Sequence, residues 1–232
     1  MWFGCAMPYL NTKMRVTIIS LSLVLLLFSC AEETELERTK RQANEGDAMA
    51  QLRLGEMYNF GEGIPHDYKE AAKWYRKSAE QGQSKAQCNL GFMYENGRGV
   101  PQDYKEAVVW YRMSADQGDA WAQDYLGAMY GKGEGVPKDY KEAIKWIRMS
   151  ADQGYAMAQF VLGMMYYNGL GVPKDYKQAY IWFYNAKNYH ESATGMLDII
   201  TEEMTKEQIG WILGSCVRGR TGGSLINLTL HD

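Results

Sequence analysis

The sequence predicts an all-α protein, a right-handed α-solenoid of stacked antiparallel helical hairpins with a 36-residue period. Two observations support this fold class. The segment AQCNLGFMYENGRGVPQDYKEAVVWYRMSADQGDAW at 86–121 is nearly repeated on either side, in copies that begin at Ala50, Ala86, Ala122 and Ala158. Apolar residues within each copy also recur at helical spacing. A fixed period of this length indicates units that bury their apolar faces by stacking on one another.

The first half of each copy predicts a helix. Ala50, Leu54 and Tyr58 stand at i, i+4 and i+8, on one face of a 3.6-residue period. Gly55 removes a side chain from that face, so a neighbouring helix is expected to approach closely there. The segment then runs into G-E-G-I-P, where glycines permit left-handed backbone and proline cannot continue a helix.

The second half of each copy predicts another helix. Asp67 is the expected N-cap, with Glu70 three residues later in the reciprocal capping-box arrangement. Trp74 and Tyr75 are predicted to face inward, and Gly82 follows the end of the helix. The same cap pattern recurs as Asp103/Glu106, Asp139/Glu142 and Asp175/Gln178. Each copy is therefore a helical hairpin.

The repeated motifs are A-x-x-x-L-G-x-x-Y, then G-x-G-V-P, then D-Y-x-x-A-x-x-W, at a 36-residue step. This pattern resembles the Sel1-like repeat, a relative of the tetratricopeptide repeat, over about 38–209 of the chain. The resemblance implies a non-catalytic adaptor, and many members of that family are in bacterial envelopes. The disulfide-rich subgroup does not match, since Cys88 is the only cysteine within the repeats.

The first thirty residues, 1–30, predict a secretory signal. Basic residues at 13 and 15 precede a mostly apolar run at 16–28, which is too short to span a bilayer. The segment ends in Leu-Phe-Ser-Cys, which resembles a bacterial lipobox and predicts a lipid on Cys30 and an envelope location. The alternative is ordinary cleavage after Ala31, which would give a soluble periplasmic or secreted protein. Either Met1 or Met14 can be the true start.

The rest of the chain divides by the repeat pattern. We expect a spacer and N-terminal capping helix at 31–49, repeats at 50–85, 86–121, 122–157 and 158–193, and C-terminal capping helices at 194–209. Terminal units of solenoids are atypical because one face meets water. The glycine-rich tail at 210–232 shows no pattern and is expected to be disordered.

Composition and motifs argue against several functions. The formal net charge of -3 offers no basic stripe for nucleic acid. The motifs S-x-x-K, G-x-S-x-G, H-E-x-x-H and C-x-x-C do not occur, and His66, His190 and His231 are far apart in the sequence. We therefore expect no catalytic residue, no metal and no cofactor. The enzymatic alternative, a hydrolase of envelope polymer or β-lactam as suggested for relatives of the repeat, lacks a nucleophile.

A comparison of the four copies predicts a binding face. Positions 49, 52, 53, 56, 59 and 60 and their equivalents vary between copies and fall on one stripe of the first helix, within about 120°. The first helices of such solenoids line the concave surface, so the stripe is expected to form a groove. The candidate protein-binding residues are Met49, Leu52, Arg53, Glu56, Phe60, Asn89, Phe92, Trp121, Asp124, Tyr125, Lys132, Phe160, Met164 and Tyr167.

The content of this stripe favours binding of a protein or peptide. Aromatic residues and methionine with a few charges are enriched at interfaces. The alternative is that Trp121 and Phe160 pack against the neighbouring unit. The leading hypothesis is thus an envelope-tethered interaction scaffold, attached to the membrane through its N-terminal lipid, and a purely structural spacer is the remaining alternative.

Overall fold

The structure is a computed structural model that describes residues 33–204 and Gly210. Within residues 33–204 it contains ten α-helices and no strand. The helices are α1 Glu35–Asn44, α2 Ala48–Phe60, α3 Tyr68–Glu80, α4 Ser84–Asn96, α5 Tyr104–Ala115, α6 Ala120–Lys132, α7 Tyr140–Asp152, α8 Ala156–Asn168, α9 Tyr176–Ala186 and α10 Glu191–Glu203. The predicted signal segment at 1–30 with Cys30, the last part of the predicted C-terminal capping region at 205–209 and the tail after Gly210 lie outside the described residues.

Consecutive helices pack on each other throughout. The most extensive contacts are within the hairpins α2/α3, α4/α5, α6/α7 and α8/α9, and the second helix of each hairpin then packs on the first helix of the next. Helix α1 packs on α2, and α10 packs on α9. The prediction of an all-α solenoid of stacked hairpins is confirmed. None of the described helices is long and apolar enough to cross a membrane.

The caps show why the hairpins form where they do. Asp67 Oδ1 accepts hydrogen bonds from the backbone N–H groups of Lys69 (2.8 Å) and Glu70 (3.1 Å). Gly61, at φ 74°, ends the preceding helix in the left-handed conformation that glycine adopts at no steric cost. The capping box predicted at Asp67 is only half formed, because the Asp67 N–H donates to the carbonyl of Tyr58 (3.0 Å) instead of to Glu70. The N-cap aspartate thus also fixes the hairpin turn.

The predicted close approach of the two helices is confirmed at the helical glycines. A Cβ added to Gly91 would lie 2.7 Å from Cδ1 of Tyr111, and one added to Gly55 would lie 2.5 Å from the same atom of Tyr75. Gly127 and the glycine of the fourth hairpin face equivalent side chains at similar distances. A first helix with any side chain at this position would have to move away from the second helix.

Polar side chains join the units by bonds that recur along the array. The Gln87 amide donates to the carbonyl of Ala79 in the preceding hairpin (3.1 Å), and Gln117 donates to the Gln87 side-chain oxygen (2.7 Å). The Arg112 guanidinium bonds the hydroxyl of Tyr130 in the next hairpin. The equivalent arginine–tyrosine pairs are Arg76/Tyr94 and Arg148/Tyr166. Each unit is therefore tied to both neighbours by buried or half-buried hydrogen bonds.

The tryptophans of the second helices fill the apolar interfaces between adjacent hairpins, here called seams. Trp110 belongs to the apolar cluster formed by α3 and α4, and Trp146 to the cluster of the next hairpin pair. Both side chains are buried. Trp74, which was predicted to face inward, packs on the cluster of the first two helices but is only half-buried. The core is therefore continuous from unit to unit.

Candidate protein-binding face

The variable face is defined here as positions 49, 52, 53, 56, 59 and 60 of α2 with their equivalents in α4, α6 and α8. Its outermost positions carry the exposed apolar side chains expected of a binding surface. Met49 is 56% exposed, Phe60 is 68% exposed and Trp121 is 56% exposed. The half-buried positions beside them hold Arg53, Glu56, Asn89, Phe92 and Tyr125, and Lys132 is exposed. Large apolar groups in such positions are typical of interaction surfaces.

One position of the face is not exposed as predicted. Leu52 is 4% exposed and Asp124 is 9% exposed, and Cys88, which shares their position, is also buried. The position lies at the edge of the stripe, where the next hairpin covers it: Leu52 packs in a cluster with Ala86 and Leu90 of α4. The residue at this position varies between copies because each interface between hairpins is packed by a different side chain. Leu52 therefore contributes to the core, and Asp124 is buried.

Aromatic side chains meet at the centre of the face. The Phe92 and Tyr125 rings of adjacent units are 6.0 Å apart between centroids, and Tyr125 stacks on Tyr111 at 5.1 Å. The Tyr111 hydroxyl donates a hydrogen bond of 2.6 Å to Glu95 Oε2, which fixes the ring. Burial raises the pKa of Tyr125 to about 12, so its hydroxyl is neutral at physiological pH. The centre is thus a rigid, mostly apolar floor.

Trp121 does not join this pair but forms a second one. Its ring centroid lies 5.5 Å from that of Tyr155, which precedes α8. Of the three aromatic side chains expected to converge, the rings of Phe92 and Tyr125 therefore meet, and Trp121 stands one turn away from Tyr125 on α6. The alternative in which Trp121 packs on the neighbouring unit holds for one side of the ring only, since the indole remains largely exposed.

Sequence reasoning missed Tyr155. It occupies the N-cap position of α8, where the equivalent residues of α2 and α6 are Asp47 and Asp119, which do form cap hydrogen bonds. Tyr155 makes no side-chain cap bond. The equivalent Gln83 of α4 also makes no cap bond, so the missing cap alone could not have identified Tyr155.

Asp124 is a buried carboxylate one turn after Trp121 on α6. Burial raises its pKa to about 6, and no neighbouring charge contributes to the shift. The pKa of Tyr155 is itself raised, first by burial and then by the charge of Asp124, which places the two groups within electrostatic range. The side chain of Asp124 makes no hydrogen bond or ion pair with any other residue between 33 and 204.

The cations of the face, in contrast, have partners. Arg53 forms ion pairs with Glu62 (2.8 Å), Glu35 (3.5 Å) and Glu56 (3.8 Å). Lys132 lies 3.4 Å from Glu134. In the N-terminal part of the face the basic and acidic side chains therefore neutralise one another. Asp124, near the middle of the face, has no cation beside it.

Much of the C-terminal end of the face is covered. Phe160 stacks on His190 (4.0 Å between centroids) and lies 5.6 Å from Phe183, so the packing alternative applies to Phe160. Glu203 of α10 accepts hydrogen bonds from the hydroxyls of Tyr167 (2.7 Å) and Tyr176 (2.5 Å). Met164 packs in the same cluster. Phe160, Met164 and Tyr167 thus pack against the last two helices, and the larger open part of the face belongs to the first three hairpins. In α8 the equivalent of Met49 is Met157, which remains 43% exposed.

The one cysteine of the face is Cys88, in the described part of the chain. Burial raises the pKa of the Cys88 thiol, which disfavours the nucleophilic thiolate. Among the described residues no three His, Cys, Asp or Glu side chains are grouped so that they could hold a metal ion. The arrangement offers aromatic contact area and one buried carboxylate.

The Sel1 repeat family model matches the chain four times, at residues 48–83, 84–119, 122–155 and 156–188. Among solved structures, the Sel1 repeat protein from Oxalobacter formigenes is 34% identical, with a TM-score of 0.65, over 76% of this chain and 73% of that one. A protective antigen present in uropathogenic Escherichia coli strains, which displays an SLR fold, is 41% identical with a TM-score of 0.68 over 71% of this chain.

The match covers 35% of the E. coli protein, so this chain spans about a third of that protein's length. Comparison with curated proteins gives no match. The four repeats, the stacked hairpins and the two similar structures lead to the same conclusion. The chain belongs to the Sel1 repeat family, whose members are generally non-catalytic scaffolds for protein–protein interaction.

Proposed function

We propose that this protein is an interaction scaffold of the bacterial cell envelope that binds an extended segment of a partner protein along the variable face of its first three hairpins. The exposure of Met49, Phe60 and Trp121 on one face, next to the Phe92–Tyr125 pair, is the observation that carries this proposal. Large apolar and aromatic groups that remain exposed on a folded array lose contact with water only when a partner covers them.

Trp121 is the expected anchor of the interaction. Aromatic anchors at the centre of an interface commonly cost about 2 kcal/mol or more when truncated. We therefore expect Trp121→Ala to weaken partner binding roughly thirty-fold or more, because about 1.4 kcal/mol corresponds to a factor of ten. Helicity should be nearly unchanged, since the side chain is largely exposed.

Photo-crosslinking in the protein's own cells can test the surface. A benzoylphenylalanine at position 49 should give a discrete crosslinked partner, and Trp121→Ala in the same chain should remove it. The matched control is the same label at Lys105, which is exposed on a second helix. Equal crosslinking from both positions, or a Trp121→Ala protein that folds and crosslinks normally, would place the interface elsewhere and favour the structural spacer.

The envelope location is proposed from the sequence, through lipid on Cys30. A fatty acid supplied to growing cells should label the protein, and Cys30→Ala should abolish the label and release the protein from the membrane fraction. Label that persists in Cys30→Ala would show another attachment site. A parent protein that is never labelled would favour ordinary cleavage after Ala31.

A further inference from the structure

Asp124 occupies a position that the fold fills with apolar groups elsewhere. The equivalent residues are Leu52, Cys88 and Phe160, and the first two are buried in the seam between units. Packing of the repeat therefore does not require a carboxylate at this place. An ionised group that is taken from water without a partner costs free energy, so its presence here calls for another reason.

A ligand can reach the carboxylate. The oxygens of Asp124 are not among the fully enclosed polar atoms without a partner in the described part of the chain, although the residue as a whole is nine-tenths buried. The carboxylate is therefore nearly, but not completely, enclosed.

The aromatic residues around it favour a positive group. Trp121 is three residues before Asp124 on α6, hence on the same side of the helix, and its ring pairs with Tyr155 at 5.5 Å. The faces of tryptophan and tyrosine rings attract cations within about 6 Å. The cations of the face pair with glutamates instead: Arg53 lies 2.8 Å from Glu62 and Lys132 lies 3.4 Å from Glu134.

We infer that Asp124, together with the Trp121–Tyr155 pair, binds an arginine or lysine side chain of the partner segment. The aromatic rings would cover the aliphatic part of that side chain, and the carboxylate would accept hydrogen bonds from its charged end. This inference rests on the proposed function and adds to it the chemistry of one recognition site.

Peptide titration followed by NMR provides the test. The probes are blocked nonapeptides of serine and leucine that differ only at the central residue, which is arginine, lysine, norleucine or glutamate. We expect the arginine and lysine peptides to shift the indole N–H signal of Trp121 saturably, with affinities at least about ten-fold higher than that of the norleucine peptide. The glutamate peptide should bind most weakly.

Variants separate charge recognition from general binding. Asp124→Asn keeps the shape of the side chain and should lower affinity for the arginine peptide at least about ten-fold, while affinity for the norleucine peptide stays unchanged. The matched control is Glu106→Gln, which removes the same charge from an exposed site on α5 and should leave both affinities unaltered.

Two results would overturn the inference. Equal binding of the arginine and norleucine peptides, with Trp121 signals shifted by both, would leave the face as a binding surface without charge recognition. The absence of any shift with all four peptides would likewise reject a basic ligand at Asp124. The crosslinking experiment from position 49 then decides independently whether the face binds a partner.

Discussion

Asp124 combines a cost to stability with a position on the variable face. Its pKa is raised from 3.8 to about 6 by burial, so the folded state holds the proton more tightly than the unfolded chain does. The folded state is therefore favoured below the unfolded pKa, and this advantage is lost as pH rises from about 4 to about 6. Above that range the ionised carboxylate destabilises the fold by a constant amount.

Asp124→Asn should remove this effect. We expect the variant to be more stable than the parent at pH 7 by up to about 3 kcal/mol, since one pKa unit corresponds to about 1.4 kcal/mol. The gain should nearly vanish at pH 4. Urea denaturation of both proteins at the two pH values measures the difference. A gain that is the same at both pH values would show that charge burial is not its cause.

Among the helices, the glycines illustrate how one residue type can have opposite roles. Gly91 in α4 is pressed against Tyr111, whose hydroxyl is held by Glu95, so the ring cannot easily retreat. Gly195 in α10 has no atom within 4 Å of an added Cβ. The first glycine is required by the approach of two helices, whereas the second is only a weak helix former.

A matched pair of alanine substitutions tests this difference. Gly91→Ala should destabilise the protein by about 1–3 kcal/mol through overpacking. Gly195→Ala should stabilise it by about 0.4–1 kcal/mol, because alanine restricts the unfolded chain and suits a helix. Melting temperatures of the two variants give the comparison. Equal shifts in the same direction would show that the α4/α5 approach is not as close as described.

The repeat itself explains how far the sequence could predict the fold. Four copies at one step reveal which positions face the core, since residues such as Leu90 and Gly91 do not change. A contact that occurs only once in the chain cannot be predicted by comparing the copies. Two examples are the hydrogen bond from Tyr167 to Glu203 and the ring contact between Tyr155 and Trp121. Each depends on a residue outside the repeated pattern. The burial of Asp124 was missed because variation was equated with exposure.

At the scale of the whole molecule, neighbouring hairpins are linked both by apolar seams and by repeated hydrogen bonds such as that of Arg112 with Tyr130. Repeat arrays of this kind depend on their nearest-neighbour interfaces for stability. A unit that loosens should therefore disturb the seams on both sides of it, and the middle hairpins, with two neighbours each, should be the last to open.

The reactivity of the buried Cys88 thiol can report how often such opening occurs. It lies in the seam between the second and third hairpins, beside the aromatic floor of the variable face, and is the only cysteine among the described residues. Because burial raises the pKa of this thiol and shields it from solvent, an alkylating reagent can modify it only while the two hairpins are separated. The alkylation rate of Cys88 thus measures how often the second and third hairpins separate. A partner that binds across both hairpins should slow that rate.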